Sequence, residues 1–252
     1  MVNINRPNIF IVGTMKGGTT ILHDFLGSHP RIYSGTLKEI HYFSMNLDRG
    51  VDWYHAHFSH LPPKENYVDA SPTYFDSADL TGIARYIHNY NPEACIIMMA
   101  RDPIDRAISH FNHLKRINKV ECLQDISAEA FFSRGPLKAL GGTGIVDYYM
   151  MLTLRFSFYF RKAMHYTAVF GDRFMAVGNQ ELRDRPQATM DRIFAHIGVD
   201  RIESDAFGQT RYEHGSGKEE ISPTTRAMLS EVLQPDYAAF CRHTGVPFDW
   251  KE

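Results

Sequence analysis

The stretch NIFIVGTMKGGTT, residues 8–20, decides the fold. Residues 8–13 form a short apolar run that ends in glycine, which is typical of a buried β-strand. Glycines and a lysine follow, and from Thr19 onward the apolar spacing is that of a helix, which we expect to begin at a threonine cap. A strand, a glycine turn and a helix in this order predict the first unit of an α/β sheet.

Similar units follow along the chain of 252 residues. Short apolar runs predict further strands, and longer stretches with helical spacing alternate with them. The predicted strands lie at 67–70, 94–100 and 173–178, and the predicted helices at 76–90, 148–166, 186–197 and 223–243, with another helix opening at Asp102-Pro103. We therefore predict an α/β fold with a central parallel sheet flanked by helices on both faces, in a single domain over residues 1–252.

Residues 118–144 differ from the rest, because they contain Gly135-Pro136 and Gly141-Gly142-Thr143-Gly144 and have weak helical spacing. Two interpretations stay open. The segment is either a surface excursion or a mobile wall on the acceptor side of a site.

Composition excludes several classes of protein. The 27 basic and 29 acidic residues give a net charge of −2, so the basic excess of nucleic-acid binders is absent. Three scattered cysteines indicate a reducing compartment and argue against a thiolate metal site. No apolar stretch approaches the length of about 20 residues that spans a bilayer. We expect a cytoplasmic protein, and the sequence does not specify its oligomeric state.

The glycine turn predicts a phosphate or sulfate site. Glycines allow backbone N–H groups to approach an anion, and a helix N-terminus adds partial positive charge. Lys16 adds a full charge, and the hydroxyls of Thr19 and Thr20 add donors. Thr19 stands where a Walker loop requires lysine, and the dinucleotide-binding glycine spacing is absent. The alternative of a plain glycine turn with a solvated lysine stays open.

A second anion site is predicted directly after the apolar run 94–100. Arg101 lies where open parallel sheets place their ligands, at the carboxyl end of a strand. Ser109 follows about two helical turns later. Alternatively, Arg101 caps a helix or pairs with Asp102.

Taken together, the segments resemble sulfotransferases that use 3′-phosphoadenosine-5′-phosphosulfate (PAPS), and in particular the heparan sulfate 3-O-sulfotransferase type. The resemblance is carried by five segments: KGGTT at 16–20, RDPIDRAIS at 101–109, KEIHYF at 38–43, SPTY at 71–74 and GVPFDW at 245–250. It implies a P-loop-like sulfotransferase fold, PAPS as co-substrate, adenosine 3′,5′-bisphosphate as product and no required metal. It also implies donor-binding residues, namely Lys16, Gly17, Gly18, Thr19 and Thr20 at the 5′-phosphosulfate, Arg101 and Ser109 at the 3′-phosphate, and Lys218 in a late glycine loop.

The resemblance further implies that Glu39 is the general base and that Lys16 stabilises charge on the bridging oxygen. Because Glu39 and His41 have apolar neighbours, we expect partial burial to raise the pKa of the Glu39 carboxyl. His41 is a third catalytic candidate, and three roles stay open: orienting Glu39, acting as the base, or packing alone. The alternative is a glutamate at the start of a helix that pairs with Lys38.

The acceptor is not determined by the sequence. Ala70 stands where the resembling glycan enzymes have lysine, which indicates a different acceptor: a hydroxyl or amine of a small molecule, a sugar or a lipid. Two other functions stay open, a kinase or other phosphoryl transferase and a non-catalytic nucleotide-binding protein. The missing Walker lysine counts against the first. Retention of Lys16, Glu39, Arg101 and Ser109 together counts against the second.

Overall fold

The computed structural model describes residues 5–34, 38–77, 80–117, 120–135, 142–208 and 219–250. The chain divides into two compact units. The first comprises Met1–Ala100 and Lys162–Arg211, and the second comprises Arg101–Arg161 and Tyr212–Glu252.

Strands and helices alternate along the described residues. The strands are β1 (Ile9–Gly13), β2 (Ile32–Tyr33), β3 (Asn66–Ala70), β4 (Cys95–Ala100) and β5 (Phe174–Gly178). The α-helices are α1 (Thr19–Gly27), α2 (Tyr42–Met45), α3 (Val51–Ser59), α4 (Thr73–Asp76), α5 (Leu80–Tyr90), α6 (Pro103–Arg116), α7 (Ala128–Phe132), α8 (Ile145–Arg155), α9 (Phe160–Phe170), α10 (Asn179–Asp184), α11 (Pro186–Ile197) and α12 (Pro223–Thr244). Short 3₁₀ turns lie at Leu47–Arg49, Glu121–Leu123, Gly171–Arg173 and Asp205–Phe207.

The strands of the described residues form one sheet in the first unit, with the order β2-β3-β1-β4-β5. Every neighbouring pair is parallel, and Ile9 of β1 lies opposite Val68 of β3 and Cys95 of β4. β1 is therefore the central strand. The glycine turn follows its carboxyl end and so lies at the middle of the row formed by the carboxyl ends of the strands. The predicted α/β class with a parallel sheet is confirmed.

Helices cover both faces of this sheet because side chains alternate along each strand. Ile9 and Ile11 of β1 pack in a buried cluster with Leu22 of α1 and Ile193 of α11. Phe10 points to the other face, where its ring lies edge-on to Phe43 of α2 at 6.0 Å and to Tyr90 of α5 at 6.5 Å. Burial on two faces explains why most residues of the strands are apolar.

The second unit has a helical core of its own. Phe111 of α6, Phe131 and Phe132 of α7, Met150 of α8 and Leu233 of α12 are all fully buried together. Two of these phenylalanines come from the glycine-containing segment 118–144. The described part of that segment from 120 to 135 therefore contributes apolar side chains to a core.

The single helix predicted over 148–166 is wrong, because α8 ends at Arg155 and α9 begins at Phe160. Within the break, Ser157 Oγ accepts from Arg106 Nε at 2.9 Å and donates to Pro103 O at 2.8 Å. Asp236 Oδ2 accepts the N–H groups of Tyr159 (2.6 Å) and Phe160 (3.2 Å). These bonds between distant residues end α8 and start α9, although the helical spacing of apolar residues continues through the break.

Two further boundaries also differ from the sequence prediction. The cap of α1 is Gly18, in a left-handed conformation with φ 106° and no side-chain bond, so the expected threonine cap is wrong. The helix predicted over 76–90 is two helices, α4 ending at Asp76 and α5 starting at Leu80.

Candidate active site

The turn after β1 is tightly folded against the carboxyl end of β4. Thr14 N donates to Met99 O at 3.0 Å, and Gly17 N donates to Thr14 O at 2.9 Å. A Cβ on Gly17 would lie 2.6 Å from Met99 O, a distance that side chains do not tolerate. Glycine is therefore required at this position by the close approach of two backbones.

This turn places the start of α1 where an anion can bind. No described residue accepts a hydrogen bond from the N–H groups of Thr19 or Thr20. The first N–H groups of a helix have no intrahelical partner, and the helix dipole adds partial positive charge there. The N–H groups at the start of α1 therefore have no acceptor among the described residues, and Lys16 lies in the turn just before them.

A second cation, which the sequence analysis did not assign to the site, lies beside the turn. Lys38 Nζ donates to Thr20 Oγ1 at 2.6 Å. Burial lowers the pKa of the Lys38 ammonium, while the nearby Asp24 and Glu39 act in the opposite direction. The KEIHYF segment at 38–43 contains this lysine, but the sequence alone gives Lys38 no role beyond a possible pair with Glu39.

Glu39 and His41 are brought together by the chain between β2 and α2. Glu39 Oε2 lies 3.6 Å from His41 Nε2, and His41 Nδ1 lies 2.8 Å from Thr73 Oγ1. The Glu39 side chain is 57% exposed and that of His41 21%. The expected partial burial of Glu39 is therefore wrong, because its carboxylate faces outward while the neighbouring Ile40 and Tyr42 point into the core.

A buried carboxylate supports the backbone of this segment. Ser71 Oγ accepts from His41 N at 3.0 Å and donates to Asp69 Oδ1 at 2.6 Å. The hydroxyls of Tyr54 and Tyr74 donate to Asp69 Oδ2 at 2.6 and 2.7 Å. Burial raises the pKa of Asp69, and the three hydroxyl bonds counteract this by stabilising the carboxylate. Four buried side chains thus fix the position of the His41 backbone.

The backbone at the predicted catalytic residues is unusual. Among the described residues, the non-glycine positions with positive φ are Lys16 (67°), Glu39 (62°) and His41 (54°). A non-glycine residue in the left-handed region is uncommon and costs free energy. Such conformations persist at sites where the surrounding structure imposes them for function. The three residues chosen from the sequence are therefore also distinguished by their backbone.

The second unit carries Arg101 and Ser109, which do not share a described contact with each other. Arg101 immediately follows β4, and its carbonyl accepts from the Tyr159 hydroxyl at 3.0 Å. Asp102 caps α6 by accepting from Asp105 N at 2.7 Å. Ser109 lies half-buried on α6.

Arg106 of the same motif is fully buried and braces α6 against Thr153 and Ser157. Its position in the motif is accordingly explained by packing within the second unit. Lys218 lies outside the described residues. Within the described ranges, no cluster of three or more histidine, cysteine or acidic side chains could hold a metal ion. Likewise, none of the described helices is long and apolar enough to cross a membrane.

In the first unit, the bond from Lys38 to Thr20 joins the start of α1 to the segment that contains Glu39. A family model described as a sulfotransferase domain matches residues 6–222. The chain therefore belongs to the sulfotransferase family and is an enzyme of that class, which confirms the resemblance found in its motifs.

Known proteins of this family are similar over much of the chain. Human heparan sulfate glucosamine 3-O-sulfotransferase 6 is 27% identical over 266 residues, covering 97% of this chain and 73% of the relative. The membrane-associated sulfotransferase kil1 of Dictyostelium discoideum is 34% identical over 109 residues, covering 42% of this chain and 22% of the relative. The match thus spans about a fifth of the length of the latter protein. The crystal structure of a sulfotransferase from Alicyclobacillus acidocaldarius aligns with a TM-score of 0.76 at 25% identity, covering 96% of this chain and 97% of that one.

Proposed function

We propose that this enzyme transfers the sulfuryl group of PAPS to a hydroxyl or amine of a small-molecule, carbohydrate or lipid acceptor and releases adenosine 3′,5′-bisphosphate. The family match over residues 6–222 includes residues of both compact units, which supports treating residues 1–252 as one sulfotransferase domain. The donor assignment goes beyond family membership, and it draws on the anion-binding features described above.

The observation that carries the proposal is the hydrogen bond between Lys38 Nζ and Thr20 Oγ1. Thr20 belongs to the anion turn, and Lys38 directly precedes Glu39. The bond therefore ties the segment with the candidate base to the segment with the candidate anion site. Transfer between a bound phosphosulfate and an acceptor needs these two functions side by side.

In the proposed mechanism, Glu39 takes the proton of the acceptor as the acceptor oxygen or nitrogen bonds to sulfur. The bond between sulfur and the bridging phosphate oxygen breaks, and its electron pair stays on that oxygen. Lys16 and the N–H groups of the α1 terminus stabilise this developing charge. Because Glu39 is largely exposed, it is accessible to an acceptor before the reaction. His41 orients the carboxylate or shares its proton.

Recognition of the nucleotide is proposed to depend on the second phosphate. Arg101 and Ser109 would bind the 3′-phosphate, the group that distinguishes PAPS from ATP. A charge-assisted contact of this kind contributes roughly 1.5–3 kcal/mol. Lys218 is proposed as a further contact to the donor.

For the acceptor, carbohydrates are the first class to test, because the human relative is named for a glucosamine acceptor. Ala70 replaces the lysine of the resembling enzymes, and the net charge of −2 does not favour a long polyanion. A small or weakly charged sugar is accordingly a better starting point than a sulfated polymer.

The proposal is tested by transfer of labelled sulfate from PAPS to a panel of sugars, phenols, amines and lipid alcohols. We expect a labelled product with at least one acceptor class, and no phosphate transfer when ATP replaces PAPS. Calorimetry should show tighter binding of adenosine 3′,5′-bisphosphate than of AMP. Equal affinity for these two nucleotides would exclude the assigned donor.

A further inference from the structure

A buried ion pair lies directly behind the anion turn. Asp76, the last residue of α4, accepts from Lys162 Nζ of α9 at 3.0 Å. Their side chains are only 1% and 8% exposed, and the Lys162 ammonium also lies over the Phe75 ring at 4.9 Å. Well-packed apolar residues are often as stabilising as a buried ion pair. This pair therefore calls for an explanation other than stability.

Asp76 reaches the first half of the turn. Its carboxylate accepts from Thr14 Oγ1 at 3.1 and 3.0 Å and from Met15 N at 2.7 Å. In a planar trans peptide the C=O and the following N–H point in opposite directions. Holding the Met15 N–H therefore turns the Thr14 carbonyl the other way, where Gly17 N donates to it.

Asn179, the first residue of α10, reaches the second half of the turn. Its Nδ2 donates to Gly17 O at 3.0 Å. By the same planarity, the Gly18 N–H is turned away from Asn179. The Asn179 side chain lies so close to the turn that a Cβ on Gly18 would be 2.3 Å from Asn179 Nδ2, and Gly18 has φ +106°. The two ends of the segment from Thr14 to Gly18 are thus each held by one side chain.

We propose that Asp76 and Asn179 are positioning residues that fix the donor-binding turn, with Lys162 balancing the buried charge of Asp76. The proposal rests on the proposed function, because it assumes that the turn binds the 5′ end of the donor. Neither residue needs to contact the donor. Instead, they orient the N–H groups around Lys16 before the anion arrives, which reduces the ordering required on binding.

The test uses nearly isosteric variants, Asp76→Asn and Asn179→Asp, together with Lys162→Met. Calorimetry compares adenosine 3′,5′-bisphosphate, which has a 5′-phosphate, with adenosine 3′-monophosphate, which lacks it. We expect each variant to lose about tenfold or more in affinity for the bisphosphate. Affinity for the monophosphate should stay at the wild-type level. In steady-state assays, the donor KM should rise while the acceptor KM does not change.

The matched control is Asn66→Ala, at the opposite end of β3 from the turn. Asn66 is also buried, and its Oδ1 accepts from Asn8 Nδ2 at 2.9 Å. This variant should lower the melting temperature and keep the wild-type preference for the bisphosphate. Thr14→Val is a milder variant, since it keeps the shape of the side chain and removes one donor to Asp76. It keeps the test decisive if Asp76→Asn fails to fold.

The outcomes separate the two proposals. If the wild-type protein binds both nucleotides equally, the donor assignment fails and the positioning role fails with it. If the wild-type protein prefers the bisphosphate and the variants keep that preference, only the positioning role is overturned. An equal loss of preference in Asn66→Ala also overturns it, because general destabilisation would then explain the effect.

Discussion

Glu39 and His41 present a choice between two proton acceptors. The imidazole of His41 lies between the Glu39 carboxylate at Nε2 and the Thr73 hydroxyl at Nδ1. A ring that is hydrogen-bonded at Nδ1 and has a carboxylate 3.6 Å from Nε2 can orient that carboxylate or exchange a proton with it. The exposure of Glu39 favours the carboxylate as the group that meets the acceptor.

Replacing Glu39 by glutamine should separate these roles. Glu39→Gln keeps the shape and cannot accept the acceptor proton, so we expect the rate to fall by about 10²–10⁴-fold. The Kd for adenosine 3′,5′-bisphosphate should be unchanged. His41→Asn, which tolerates the left-handed backbone, should lose less activity. A larger loss in His41→Asn than in Glu39→Gln would identify His41 as the base.

A role of Lys38 in donor binding predicts that the activity is sensitive to alkaline pH. Burial lowers the pKa of its ammonium, so Lys38 loses its charge at a lower pH than an ordinary lysine. If this charge supports the bound donor, kcat/KM for PAPS falls on the alkaline side, at a lower pH than the loss of an ordinary lysine's charge would give. Lys38→Arg stays charged there and should shift the fall to higher pH. An identical alkaline limb in both proteins would show that Lys38 is not part of the donor site.

The segment between β3 and α4 holds the backbone of His41, which lies next to the candidate base Glu39. Asp69, near the end of β3, accepts hydrogen bonds from the hydroxyls of Ser71, Tyr54 and Tyr74. Ser71 Oγ in turn accepts a hydrogen bond from His41 N. Residues from three elements therefore meet at one buried carboxylate.

Asp69→Ala should destabilise the protein strongly. It leaves three buried hydroxyls without their acceptor, and each unsatisfied group costs about 1–3 kcal/mol. We expect a loss of about 3 kcal/mol or more in urea unfolding. Tyr54→Phe and Tyr74→Phe remove one donor each and leave the carboxylate in place, so their losses should be near 1 kcal/mol. Similar losses for all three variants would mean that Asp69 does not organise the cluster.

The elements themselves were largely predictable from the sequence. The predicted apolar runs correspond to β1, β3, β4 and β5, because burial on both faces leaves a strong local pattern. The two-residue strand β2 was missed because it is too short to show a pattern. The break between α8 and α9 was missed because Asp236, distant in sequence, creates it.

For the molecule as a whole, the candidate residues are distributed over both compact units. Lys16, Glu39 and His41 belong to the first, whereas Arg101 and Ser109 belong to the second. These residues and their order along the chain could be identified from the sequence motifs. Contacts such as Lys38 with Thr20 and Asp76 with Lys162 could not, because they join segments without any shared local pattern.

Variants in the two units should behave in opposite ways. Lys16→Ala should lower kcat more than it weakens binding of the product nucleotide, because only its contact to the bridging oxygen strengthens in the transition state. Arg101→Ala should mainly weaken nucleotide binding, by about tenfold or more. Both expectations are checked by measuring kcat and the Kd of the product nucleotide for each variant. Normal turnover of Lys16→Ala at saturating donor would limit Lys16 to binding.

The left-handed backbone at Lys16, Glu39 and His41 has a consequence for evolution and design. Glycine adopts such conformations without steric cost, so glycine at any of the three positions should relieve about 1 kcal/mol or more of strain. A selection for thermal stability alone would thus favour variants that have lost the chemistry. Conversely, we expect a homologue that retains all three side chains against this pressure to be an active enzyme. A homologue with glycine at these positions is expected to be catalytically inactive.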